Sequence, residues 1–222
     1  MTDLVLSSGF LAFGAQAGFL AAVEDAGVPV DAIVGTSSGA LAGALWAAGL
    51  DAQAVLAELS RRTPLQWASW RWTPWRGVLG LDAVIAELRT RLPATFDGLE
   101  RPFAVGVATG TGHELITSGP LPEAVAASCA IPWVFASVAL GGRLAWDGGV
   151  VDRTAVDAWR RWRPGRRAVL HLVDRSHGTD VPADLAGLDV VRSPRSGASL
   201  WSLGPVEAAF DRTRAAARDR LG

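Results

Sequence analysis

The chain has 222 residues, a net charge of −1, and 50% hydrophobic against 19% charged side chains. That balance excludes a disordered chain and gives no broad basic surface for nucleic acid; it suits a single domain, residues 1–222, with a sizeable core. One cysteine, Cys129, excludes an intrachain disulfide framework. The histidines His113, His171 and His177 lack the spacing of a zinc site, so no metal and no other cofactor is expected.

In chain order, Leu4-Val5-Leu6 reads as a short strand running into Ser7-Ser8-Gly9. A helix follows from about Ala15, with Phe19, Leu20 and Val23 at helical spacing and Gly27 at its end. The next apolar run, Ala32-Ile33-Val34, meets Gly35-Thr36-Ser37-Ser38-Gly39, and Ala40 to Trp46 continues as a helix. Gly-x-Ser-x-Gly between a strand and a helix reads as a nucleophile elbow, a strained turn that exposes the central hydroxyl. Gly35 and Gly39 would let strand and helix pass where a β-carbon would clash, and the Ser38 N–H at the helix start would face a developing negative charge. The plain alternative for the pentapeptide is a polar turn. Two uncharged stretches, 4–23 and 32–50, approach the length of a membrane span. Ser, Gly and Thr clusters interrupt both, so they read as buried strand-turn-helix pieces of a cytoplasmic protein.

Asp51 is placed to cap a helix through Leu59. Next, Trp67, Trp70, Trp72 and Trp75 fall within nine positions and follow neither helix nor strand periodicity. One reading is a cap over the core. The other is a lid or a peripheral membrane-surface contact, with indole rings at the interface and Arg71 and Arg76 toward anionic headgroups. A helix is expected from Leu81 to about Leu92, then a hairpin, 101–108 returning through 113–117, and a helix from Leu121 to Ala130. Two short strands precede Asp147-Gly148-Gly149. A helix near 154–162, strands at 168–173 and 188–191, and a helix from Pro205 complete an α/β pattern with a mostly parallel sheet.

The glycine-containing first turn, Gly-Thr-Ser37-Ser-Gly and Asp147-Gly-Gly, in that order, resemble the patatin-like phospholipase family. Leu4 to Gly9, Ala17 to Gly27 and Ala127-Ser-Cys-Ala-Ile-Pro132 extend the likeness over about the first 50 residues and about 120–160. The resemblance implies a three-layer α/β/α fold and a serine acyl hydrolase of phospholipids or other acyl lipids. Ser37 would be the nucleophile and Asp147 its general base, with no histidine between them. A carboxylate can fill that role if partial burial keeps its proton affinity suitable. Gly148 and Gly149 would let the backbone turn tightly so that the carboxylate faces the serine.

One stretch departs from the family. Its members carry a run of glycines with Arg or Lys after the first strand, whose amides form the oxyanion hole. Here the run reads Ser8-Gly9-Phe10-Leu11-Ala12-Phe13. The N–H groups of Gly9, Phe10 and Leu11 remain available as donors with Ser38, but Phe10 and Leu11 resist the positive φ that glycine permits. Arg153 and Ala155 also replace the Asn and Pro usual after Asp-Gly-Gly. Two alternatives therefore stand beside the dyad hydrolase. One is a lipid-binding or scaffold protein of the same fold with a degenerate oxyanion loop. The other is a Ser-Asp-His esterase using His177, since His171 lies in an apolar strand and reads as a core residue.

Overall fold

The computed structural model describes residues 1–61, 63, 66, 69–70 (backbone only), 79–175, 185–199 and 201–221. Trp67, Trp72, Trp75, the Trp70 side chain and His177 lie outside the described residues. The elements are β1 (Thr2–Leu6), α1 (Phe13–Asp25), β2 (Val30–Thr36), α2 (Ser38–Ala47), α3 (Ala52–Ser60), β3 (Ser69–Trp70), β4 (Leu79–Gly80), α4 (Asp82–Arg91), β5 (Phe103–Thr109) and β6 (Gly112–Ile116). They continue with α5 (Leu121–Ser128), β7 (Val138–Leu140), β8 (Arg143–Asp147), α6 (Val156–Trp162), β9 (Ala168–Val173), β10 (Asp189–Ser193) and α7 (Val206–Leu221).

The main sheet runs β10-β9-β1-β2-β5-β8-β7, with β6 also paired to β5. Strands β10, β9, β1, β2 and β5 are parallel, and β6, β7 and β8 join antiparallel. The expected three-layer α/β/α architecture with a mostly parallel sheet is present. Alternation along the strands sorts side chains to the two faces. Leu4, Leu6, Ile33, Phe103 and Val105 meet helices α1, α2, α5 and α7 on one face. Val5, Val34, Ala104 and Leu170 meet Val156 and Trp159 of α6 on the other. Trp159 Nε1 also donates to Asp3 Oδ2 at 2.9 Å, and the Arg163 guanidinium pairs with the same carboxylate, which accounts for a fully buried aspartate in β1. Helix α7 packs on α1 where α1 has glycines: a β-carbon on Gly14 or Gly18 would lie 2.2 or 2.3 Å from the carbonyl oxygens of Val206 or Phe210.

One edge of β5 matters most for the site. Residues 105–109 pair with β6 on one edge of this strand. On the other edge β2 occupies the first half, ending at Thr36 opposite Gly106, and β8 occupies the second half, with Asp147 opposite Val107. The carboxyl end of β2 and the end of β8 therefore abut. Residues 37 and 147, far apart in sequence, become neighbours through the register of a third strand.

Candidate active site

Ser37 lies between β2 and α2 with φ 54° and ψ −119°, a backbone region that non-glycine residues seldom enter. Close packing enforces it. A β-carbon on Gly35 would sit 2.5 Å from the Gly39 carbonyl oxygen, and one on Gly39 would sit 2.4 Å from that of Leu6, so strand and helix touch at these two positions. The strained turn is also held from outside. The Ser37 N–H donates to Ser128 Oγ at 2.7 Å, and Ser128 Oγ–H donates to the Gly106 carbonyl at 2.7 Å. Ser128 thereby ties the elbow to β5. Sequence reasoning missed this residue; the available signal was a lone hydroxyl in the apolar run of α5. Replacing it with alanine strands a buried N–H and a buried carbonyl. Ser128→Ala is expected to lose about 1–3 kcal/mol of stability in urea denaturation.

Asp147 ends β8 with its carboxylate buried. Its Oδ2 accepts the Ser37 hydroxyl at 2.7 Å, and its Oδ1 accepts the Gly149 N–H at 2.7 Å. Burial raises its pKa to about 6, an effect partly offset by those two hydrogen bonds. Gly148 and Gly149 open a tight turn, Gly148–Val150, and close packing adds a second reason for them. Neither has a positive φ. Each is required by close approach: a β-carbon would lie 2.6 Å from the Gly106 carbonyl oxygen at Gly148 and 2.3 Å from Ser8 Oγ at Gly149.

The loop after β1 also corrects an expectation. Leu11 does adopt a positive φ, 48°, despite its side chain. Its neighbours hold the turn: the Ala12 N–H donates to the Gly9 carbonyl at 3.3 Å, and Ser196 Oγ–H donates to the Phe10 carbonyl at 2.6 Å. Arg153 anchors the base of the loop through the carbonyls of Ser8 and Val173. Gly9 sits against Val173, where a β-carbon would be 2.8 Å from Cγ1. Phe10, Leu11, Ser37 and Ser38 line one cavity. Ser38 opens α2, and the N–H groups of a first helical turn have no carbonyl partner inside the helix. The described residues therefore place a hydroxyl, a carboxylate and a helix N-terminus together at the carboxyl end of the sheet.

The cavity beyond Ser37 is strongly apolar. Leu41 and Leu45 of α2, Val84 and Leu88 of α4, and Ile131 and Phe135 line it. Cys129 faces the same cavity, with Sγ 3.5 Å from the Ser37 carbonyl oxygen; burial and the nearby Asp147 hold the thiol protonated. His171 is a core residue, as the strand pattern suggested. Its Nδ1 pairs with Gln16 Oε1 and its Nε2 with Ser193 Oγ, both at 2.8 Å, and its ring stacks on Phe19. Burial lowers its pKa to about 3, so it stays neutral.

The sequence profile of patatin-like phospholipases matches residues 4–159. The chain belongs to the patatin-like phospholipase family. NTE family proteins of Mycobacterium bovis and Mycobacterium tuberculosis, both uncharacterised, are 34% identical over 154 residues, covering 67% of this chain and 42% of theirs. The match thus spans less than half the length of these relatives. Among solved structures, VipD from Legionella pneumophila superposes with a TM-score of 0.58 at 13% identity, over 99% of this chain and 66% of that one. The type III effector ExoU of Pseudomonas aeruginosa, in complex with SpcU, gives 0.52 at 14% identity, over 100% of this chain and 51% of that one. At such identities the likeness concerns the patatin fold, and the chain shares it.

Proposed function

We propose that the protein is a serine acyl hydrolase that cleaves esters of phospholipids or other acyl lipids through Ser37 and Asp147. The observation that carries this reading is the 2.7 Å hydrogen bond from Ser37 Oγ to Asp147 Oδ2 at the head of an apolar cavity. Ser37 Oγ attacks the ester carbonyl carbon while its proton passes to Asp147 Oδ2, giving a tetrahedral intermediate with one negative oxygen. The Ser38 N–H at the start of α2 and the amides of the Gly9–Leu11 turn are the donors for that oxygen. When the intermediate collapses, the leaving alkoxide takes the proton from Asp147 and departs as an alcohol. Water then attacks the acyl-enzyme, gives its proton to Asp147, and releases the carboxylic acid as Ser37 recovers its hydrogen.

Family membership supports lipid acyl hydrolysis at the level of the class, and the direct Ser-Asp contact favours a dyad over a triad using His177. A second reading, an acyl-lipid binding protein without turnover, draws on the Phe10-Leu11 loop, where glycines are replaced. One assay separates the two. Purified protein should hydrolyse a p-nitrophenyl ester, and Ser37→Ala should not. Because a protonated carboxyl cannot accept the serine proton, kcat/KM should fall about tenfold per pH unit below an apparent pKa of about 6. Equal rates in wild type and Ser37→Ala would leave only the binding reading.

A further inference from the structure

We propose that this protein selects acyl chains by length: the channel from Ser37 along α2 holds about eight carbons, and the Glu58–Arg91 ion pair marks where it ends. The identity of the guest rests on the hydrolase reading above. Its size rests on the helices.

Ser38, Leu41 and Leu45 face the cavity at spacings of three and four residues, so the channel follows one side of α2. Seven residues at 1.5 Å each carry it about 10 Å from the serine. The facing wall is α4 with the residue that precedes it, through Leu81, Val84 and Leu88 at the same spacing. The start of α4 lies at the serine end: the Leu79 N–H bonds to the Val134 carbonyl, beside Ile131 and Phe135. A second measure gives a somewhat shorter length. The far part of α4 is pinned to α5 by Arg89 and Glu123, and α5 ends at Ser128, the residue bound to Ser37. Five residues of α5 separate the two contacts, about 7.5 Å along its axis.

Among the described residues, charge enters the lining only through Glu58, Glu87 and Arg91. Arg91 Nε lies 3.2 Å from Glu58 Oε1, and Arg91 Nη2 lies 3.7 Å from Glu87 Oε1. Arg61 joins the same two carboxylates from just past the end of α3. Two cations and two anions balance, and all four side chains are partly exposed, so this lattice crosses from α3 to α4 where the apolar wall meets water. An extended alkyl chain advances roughly 1.3 Å per carbon, from bonds of about 1.5 Å. Eight carbons therefore fill the roughly 10 Å of apolar wall that α2 supplies from the serine to Leu45. Each methylene buried before that point should raise kcat/KM or affinity roughly two- to fourfold, and methylenes beyond it emerge past charges into water and add little.

The test uses p-nitrophenyl esters of C2 to C16 acids, each below its critical micelle concentration. The rise of kcat/KM with chain length should break near C8. Val84→Trp, which fills the middle of the channel, should move the break two to four carbons shorter, and Glu58→Leu/Arg91→Leu, which extends the apolar wall, should move it longer. The second pair lies at the water boundary and carries the test if the tryptophan variant does not fold. In parallel, straight-chain fatty acids of C6 to C16 are titrated against Ser37→Ala protein by displacement of a fluorescent fatty acid, and affinity should level off near C8. Affinity that climbs steadily to C16, no fatty-acid binding at all, or a break that none of these variants moves would overturn the proposal. A break in binding without hydrolysis by the wild type would keep the length selection and remove the hydrolase reading; hydrolysis without a break would remove the length selection alone.

Discussion

Asp147→Asn is expected to abolish ester turnover and, at pH 7.5, to leave a more stable fold. Removing a general base costs up to about ten-thousandfold in rate, and this carboxylate is the group in contact with the serine hydroxyl. Geometry should survive the change. An asparagine Oδ1 can still accept the Gly149 N–H, and its Nδ2 can donate to Ser37 Oγ. Stability should rise because the native state holds a charge that burial disfavours. The folded pKa of Asp147 is about 6, against about 3.9 for an aspartate in an unfolded chain. Between these values the native state binds the proton and the unfolded state does not, so stability falls as pH rises from about 4 to about 6 and stays lowered above that. The full cost is on the order of 3 kcal/mol at neutral pH. The neutral amide escapes it, at the lesser cost of burying a polar group, so a gain of about 1–3 kcal/mol is expected, or roughly 3–10 °C in Tm for a chain of this size.

The pH dependence makes the comparison specific. Near pH 4 the wild-type carboxyl is itself neutral in the native state, and the advantage of the variant should vanish. His171 works in the opposite sense: its folded pKa lies below that of an exposed histidine, so its contribution is lost as pH falls from about 6.5 toward 3. It is present in both proteins and cancels in the difference. Urea denaturation of the pair at pH 4, 5, 6 and 7.5 should give a difference that grows and then levels off. A difference independent of pH would mean that the Asp147 charge is not being held against burial.

The second large effect belongs to a glycine. Gly39→Ala should destabilise the protein by about 3 kcal/mol or more, because the new methyl meets the backbone of β1 and neither strand nor helix can yield cheaply. That corresponds to a Tm lower by roughly 6–12 °C. Turnover should be lost as well, since any shift of α2 carries Ser37 away from Asp147. Gly110→Ala is the control: its β-carbon would meet nothing within 4 Å, and thermal denaturation should scarcely move. A Gly39 variant as stable as the control would show that β1 and α2 have room between them.

The contrast between these residues says what the sequence could reveal. The sharp turns at Ser37 and Asp147 were legible because each sits in a local pattern, Gly-x-Ser-x-Gly and Asp-Gly-Gly, whose turn chemistry leaves a mark over a few residues. So was the core role of His171, from the apolar strand around it. The β5 edge was not legible: that β2 and β8 share it end to end depends on register across three strands, which no short window encodes. Ser128 and Arg153 escaped for the same reason. A buried serine and an arginine bound to two distant carbonyls carry no periodicity, and their partners lie 91 and 145 residues away in sequence. Leu11 shows the limit of conformational preference as evidence: its backbone enters a region that glycine would fill freely, because the contacts around Gly9 and Phe10 outweigh the local cost.

The central claim is that Ser37 is made nucleophilic by Asp147, and covalent labelling by a fluorophosphonate reads it without any choice of lipid. The wild-type protein at pH 7.5 should acquire one phosphonyl group, located at Ser37 by mass spectrometry of the peptides, with Asp147→Asn labelled at least a hundredfold more slowly and Ser37→Ala not at all. Label at Ser37 appearing at the same rate in wild type and Asp147→Asn, or a folded wild-type protein that takes up none, would contradict it.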